Sequence, residues 1–391
     1  MDLDWLRVGV FAGLIFYHEG LLYEPGHPGV SLTLLFTHPW RMSILFLISG
    51  AATRFMAEGF SARRLSFERT LRLLPPLGFA ILVLVPAQAY LTLIETTAYT
   101  GGFVHFLRAY VSAPERAQIT RNFNYIVPVY GHLWFVFYLW IYTVVLSLGL
   151  HWAPGWFKRT QAGLERVLSG PSLLIWPFAI FTVARLSLYP VFGVNLGFLN
   201  DWYNHVTSAC VFLFGFLIAR SDKIWDELVK MRWAGLVMAV AGFAAYAPFV
   251  WHWGQGSDFA ETQHPGMGVF YDLERWGAIV ALLGFGHKHL ARHTQGKGAV
   301  ALKYLNGGIF TAYIVHEPAM LIMKHWLRPL QLNLAVEMTL VALGTTDACF
   351  VAYELARRVN WLGVALGQRR IGWLQFPARR PGALAAGSSP A

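Results

Sequence analysis

A chain of 391 residues with 56 % hydrophobic and only 13 % charged side chains has too few charges for an aqueous surface of its size, since soluble domains carry about 25 %. Its mean hydropathy of +0.45 and its recurrent apolar segments of roughly 20 residues fit helices crossing a bilayer, which excludes a soluble enzyme and the short alternating strands of a barrel. The net charge of +10 is a nucleic-acid signal only where basic residues gather on one surface, and here they sort by loop.

The first apolar segment, 5–22, keeps Asp4, Arg7 and His18 within LDWLRVGVFAGLIFYHEGLL. At about 100° and 1.5 Å per residue, Asp4, Arg7, Phe11 and His18 form one stripe, with His18 about 16 Å beyond Arg7. Ionisable groups inside a bilayer are costly and usually mark a pathway or a site. The plainer alternative is a snorkelling Arg7 with Asp4 as its surface partner, and a His18 hydrogen-bonded to a neighbouring helix. The segment has no basic leader and no small-residue cleavage site, so it reads as a retained helix.

Further spans are expected at 40–57, 71–94, 132–150, 172–189, 206–220, 234–251, 276–290, 307–324 and 334–356. The second opens on Arg41. Arg69 and Arg72 stand i, i+3 where the third begins, able to face one anion or to act only as topology determinants. His132 and Trp134 open the fourth; Trp134 is equally an interfacial anchor. His316 and Glu317 lie mid-span in the ninth beside Pro318, two polar groups expected to face the interior. Arg185 and Asp347 lie within the fifth and tenth and are expected to pair. Cys210 and Cys349 both fall in spans, so neither a disulfide nor a zinc site is expected, and the scattered histidines offer no metal-ligand spacing.

Assigning alternate loops to alternate sides places 22 of the 31 Lys and Arg on one side and seven on the other, with Arg7 and Arg185 inside spans. Basic loops stay cytoplasmic. The expected fold is therefore all-α: a polytopic membrane bundle of about ten transmembrane helices with both termini cytoplasmic. Residues 1–358 are expected to form the membrane domain and 359–391 a cytoplasmic, largely disordered tail, low in complexity from Pro377. The outer loops, with WHWGQGSDFAETQH at 251–264 and NDWYNH at 200–205, suit either sugar recognition or an aromatic belt.

Six segments occurring in order resemble the membrane acyltransferase family 3, in particular its glucan biosynthesis protein C branch: LDWLRVGVFAGLIFYHEGLLY (3–23), PWRMSILFLISG (39–50), RTLRLLPP (69–76), GHLWFVFYLW (131–140), GFGHKHL (284–290) and YIVHEPAML (313–321). The resemblance implies an acyl-CoA-dependent O-acyltransferase of the bacterial inner membrane. It would move a succinyl group, or failing that acetyl, from cytoplasmic succinyl-CoA or acetyl-CoA to a hydroxyl of a periplasmic glycan, which for that branch is an osmoregulated glucan. No tightly bound cofactor, metal or nucleic acid is expected. Arg7, Arg69 and Arg72 would hold the acyl-CoA phosphates. His18 would be catalytic, as general base or as a transient acyl carrier. Asp4, Arg41, His132, Trp134, His316 and Glu317 would support the site or meet the acceptor, Arg41 through an acyl carboxylate or simply as a snorkelling arginine. The alternative function is a transporter or exporter of a glycan or small solute; such proteins typically show internal repeats, and none is evident.

Overall fold

The computed structural model describes residues 2–23, 28–124, 127–253, 265–290 and 297–368. Among these there is no strand. The helices are α1 Asp2–Tyr23, α2 Pro28–Gly59, α3 Ala62–Phe79, α4 Val85–Thr96, α5 Phe103–Val111, α6 Ala113–Phe123, α7 Trp134–Trp152, α8 Trp156–Val167, α9 Ser172–Phe192, α10 Trp202–Ile218, α11 Asp222–Trp253, α12 Gly268–Leu290, α13 Lys297–Leu327, α14 Leu334–Arg358 and α15 Asn360–Ala365. Each of the ten expected spans falls in helical chain, the third across α3, a π turn and α4, and among the described residues six helical stretches are long and apolar enough to cross a membrane. Many helices run well beyond their apolar windows, because a window marks only the stretch suited to hydrocarbon, whereas the backbone ladder continues until a cap or a proline stops it.

α3 shows the consequence. Ser61 caps its first turn by accepting from the Arg64 N–H, so the helix begins at Ala62. Arg69 and Arg72 thus lie two turns inside the helix, away from the partial positive charge of its N-terminus. Pro75 and Pro76 lie in its last turn, and a π turn over Ala80–Leu84 carries the chain on into α4. Prolines cannot donate to the helical ladder, and a wide turn beside them relaxes the register.

α1 is central, packing on α2, α12, α13 and α14. It buries Val10, Phe11, Leu14, Ile15 and Tyr17 and leaves Phe16 62 % exposed, an apolar side chain suited to lipid. α1 and α13 run parallel: Asp4 near the start of α1 meets Asn306 of α13, and His18 farther along meets His316. Arg185 of α9 pairs with Asp272 of α12, its Nε 2.8 Å from Oδ2, and not with Asp347, which is exposed on α14. Arg275, one turn on from Asp272, adds a second cation at 3.3 Å.

The crossing of α2 and α10 depends on two glycines. A Cβ on Gly50 would lie 1.9 Å from the Phe212 carbonyl oxygen, and one on Gly215 would lie 2.0 Å from that of Leu47. Small residues at such crossings let two backbones touch, which is what holds helices together in lipid. Gly215→Ala is therefore expected to destabilise by about 1–3 kcal/mol through overpacking. Thermal unfolding in detergent checks it, with Gly78→Ala as the control, since nothing lies within 4 Å of that position.

The start of the expected tail is folded. α15 follows α14 directly, the Thr311 hydroxyl donates to the Leu366 carbonyl, and Gln368 Nε2 donates to Gly307 O and Thr311 Oγ1. Of the loops singled out above, residues 254–264 lie outside the described residues, as does the tail from 369.

Candidate active site

The polar groups of the α1 stripe divide into two clusters. At the start of α1, Asn306 of α13 bridges the stripe: its Nδ2 donates to Asp4 Oδ1 at 2.8 Å, and its Oδ1 accepts from Arg7 Nη1 at 3.3 Å. Arg7, Arg69 and Arg72 lie close enough to feel one another's charge. Arg69 is buried and donates from Nη2 to the Thr53 hydroxyl at 2.6 Å. Three guanidiniums thus gather near the carboxylates of Asp4 and of Glu68, which directly precedes Arg69, and their planar forks have the shape that suits phosphate oxygens.

The second cluster lies about 15 Å farther along, since ten residues of α13 separate Asn306 from His316. The His316 ring centroid stands 5.2 Å from that of His18 and 5.2 Å from that of His132. Phe11, one α1 stripe position before His18, closes on His316 edge to face at 5.8 Å. His132 comes from the turn Gly131–Leu133 ahead of α7. Gly131 has φ +46°, a left-handed conformation that glycine adopts freely, and it swings His132 under α13. Tyr313 fixes this turn by donating its hydroxyl to the His132 carbonyl.

Hydrogen bonding separates the three imidazoles. His316 Nδ1 faces the Tyr313 carbonyl at 2.8 Å and that of Ala312 at 3.2 Å. Carbonyls only accept, so Nδ1 carries the hydrogen and the buried Nε2 presents a lone pair without a partner. His132 Nδ1 lies 2.6 Å from Glu317 Oε2, within ion-pair reach. Its Nε2 is also buried and unpartnered. His18 makes ring contacts with Tyr17 and His316, and no hydrogen bond ties its ring to a described residue. Three imidazoles and a carboxylate at one point can accept, hold and return a proton, which is the equipment of acyl or glycosyl chemistry.

The sequence profile described as "Acyltransferase domain" matches residues 2–354. The chain belongs to the acyltransferase 3 family. No curated protein and no solved structure matches it. The matched stretch contains every residue of both clusters, and the apolar helices make this a membrane acyltransferase.

Of the residues expected from sequence, the acyltransferase brings His18, His132, His316 and Glu317 together, and separately Asp4, Arg7, Arg69 and Arg72. Trp134 belongs to neither cluster; its ring packs against Phe46 and Tyr138. Arg41 lies beside the imidazoles, its Cζ 3.2 Å above the Tyr17 ring. The NDWYNH segment is satisfied internally: Asp201 is buried and accepts from Tyr138, Asn204 and the Asn195 N–H, and His205 stacks on Tyr138 with Nε2 2.8 Å from the Phe198 carbonyl. Sequence reasoning missed Tyr313, Tyr17 and His38, whose Nδ1 lies 2.7 Å from the Tyr17 hydroxyl. Tyr313 had a signal: it stands one helical turn before His316 and Glu317.

Proposed function

We propose that this acyltransferase moves an acyl group from cytoplasmic acyl-CoA to a hydroxyl of an outer-face glycan, within a bacterial inner membrane that it crosses about ten times with both termini inside. The observation that carries the reading is the division of the α1 stripe into an arginine cluster at one end and a histidine–carboxylate cluster at the other. A thioester whose nucleotide bears phosphates cannot cross a bilayer. Arg7, Arg69 and Arg72 hold those phosphates at the inner mouth, and the thin pantetheine arm carries the thioester to the histidines. The resemblance to the glucan biosynthesis protein C branch favours succinyl over acetyl and an osmoregulated periplasmic glucan as acceptor. No tightly bound cofactor takes part.

His18, the imidazole with no hydrogen bond to a described residue, takes the proton from the acceptor hydroxyl as its oxygen attacks the thioester carbonyl. A C–O bond forms and the C–S bond breaks. The proton then passes from His18 to the departing thiolate, releasing CoA and the ester. His132, oriented through Nδ1 by Glu317, donates from Nε2 to the carbonyl oxygen as negative charge develops there. His316 lines the same space and fixes the ring of His18 edge to face.

The test is CoA release by the purified protein in lipid, with succinyl-CoA and acetyl-CoA compared in the presence of a β-glucan. Acylated glucan with stoichiometric CoA is the expected product. No turnover together with no acyl-CoA binding would overturn the reading and favour a glycan or solute transporter. Arg69→Gln is expected to raise KM for acyl-CoA by about 10–100-fold, the effect of losing one charge-assisted contact to phosphate, with kcat changed far less. An unchanged KM would remove Arg69 from the donor site.

A further inference from the structure

Arg41 is a buried charge with few compensating contacts among the described residues. It is only 5 % exposed, and its Nε and Nη1 are buried without a hydrogen-bond partner. Its guanidinium sits over the Tyr17 ring, a contact that stabilises a cation without neutralising it. The neighbours add positive charge. His38 links the groups, bonded to Tyr17 and packed on Tyr271, and the Tyr271 ring carries the guanidiniums of Arg185 and Arg275. Asp272 is the carboxylate that pairs with those two arginines. Glu274, next but one in sequence, has both oxygens unpartnered and so neutralises none of them by contact. Three arginines against two carboxyl groups, one of them paired, leave an excess of basic groups in a low-dielectric setting, where an unpaired charge is costly.

Arg41 also lines a cleft of about 350 Å³ together with Trp5, Gly9 and Gly13 of α1 and Thr37 and Trp40 of α2. The cleft is otherwise largely apolar, so Arg41 is the charged group that an occupant would meet. The distance to the chemistry is bounded. Arg41 Cζ lies 3.2 Å from the Tyr17 ring centroid, and that centroid lies 5.6 Å from His18's, so guanidinium and imidazole are at most about 9 Å apart.

Building on the acyltransferase reading above, we infer that Arg41 selects the acyl group, binding the free terminal carboxylate of a short dicarboxylic acyl donor while its thioester carbonyl lies at the histidines. The lengths agree. The two carboxyl carbons of a four-carbon diacyl group are about 4 Å apart when extended, and a carboxylate–guanidinium hydrogen bond adds about 3 Å. Together they reach from Arg41 to a carbonyl beside His18. A two-carbon acyl group has no carboxylate to offer. A longer diacid must fold back or displace Tyr17.

The test compares succinyl-CoA with butyryl-CoA, its near-isostere lacking the carboxylate oxygens, as donors to a neutral β-glucan. The protein is purified into lipid nanodiscs. Wild type is expected to prefer succinyl-CoA in kcat/KM by at least about 30-fold, because a buried site built for a charged group strongly rejects an analogue lacking it. Arg41→Gln is expected to collapse that preference by a similar factor, and Arg41→Lys to restore part of it. Equal use of the two donors by wild type would overturn the inference without any variant. So would a preference that survives in Arg41→Gln. A third arm uses a glucan bearing carboxylates: if the effect of Arg41→Gln follows the acidic acceptor and not the donor, the carboxylate belongs to the acceptor and the inference fails. Failure of wild type to turn over any donor would strike the acyltransferase reading itself. The donor comparison then moves to thermal stabilisation, where stronger protection by succinyl-CoA than butyryl-CoA must disappear in Arg41→Gln.

Discussion

His18→Ala is expected to lower kcat for acyl transfer by about 10³-fold, within the range contributed by a positioned general base, while KM for acyl-CoA stays within about threefold. The split follows from the geometry. The arginines that hold the donor phosphates stand at the opposite end of the α1 stripe, about 16 Å from His18 along the helix, so removing the imidazole leaves donor binding in place. His18 makes no hydrogen bond to a described residue, and its loss therefore strands no buried partner. The fold should survive, as thermal unfolding can check. Steady-state rates of CoA release with a glycan acceptor give the result directly. A fall in kcat of less than about tenfold would remove His18 from the chemistry. A rise in KM equal to the fall in kcat would point to a binding role. Rapid mixing without acceptor adds a further distinction: direct transfer predicts no burst of CoA, whereas an acyl-histidine intermediate releases one equivalent before acceptor arrives.

What was legible in the sequence was whatever repeats locally. The α1 stripe is a matter of helical period, so Arg7 and His18 could be placed on one face without any tertiary information. His316 and Glu317 were marked by polarity in the middle of an apolar run, and Arg69 and Arg72 by their spacing. Pairings across the bundle were not legible. Nothing in the local pattern says that the turn at Gly131–Leu133 is drawn under α13, so His132 and Glu317 were separate candidates instead of a pair at 2.6 Å. Arg185 shows the same limit: Asp347 was the obvious carboxylate because it lay in a span, whereas the actual partner, Asp272, lay in what read as a loop. That loop is the start of α12, because a hydropathy window discards a helical turn carrying Asp272, Glu274 and Arg275. The same bias hid the first two turns of α3. There the Ser61 cap was a usable signal, a serine followed three residues later by the N–H it accepts from.

His132→Ala is expected to lower kcat by about 10²–10³-fold, the effect of removing one donor aimed at a developing oxyanion. The side chain is 2 % exposed, its Nδ1 lies 2.6 Å from Glu317, and its Nε2 has no partner among the described residues. A buried nitrogen held in place and left unsatisfied is arranged for something that arrives later. Glu317→Gln then separates two roles for that nitrogen. An amide can donate to His132 Nδ1, which places the hydrogen on Nε2. If Nε2 acts as a donor to the carbonyl oxygen, the variant keeps a weaker neutral donor and loses only about tenfold. If Nε2 were instead the base that accepts the hydroxyl proton, the same change would block it with the wrong tautomer, and the loss would approach 10⁴-fold, as for a triad whose orienting carboxylate becomes an amide. The double variant His18→Ala, Glu317→Gln gives the remaining check. Groups acting together on one transition state are not additive, so its rate should fall short of the product of the two single losses. Full multiplicativity would mean that the histidine cluster is two independent sites that happen to be neighbours.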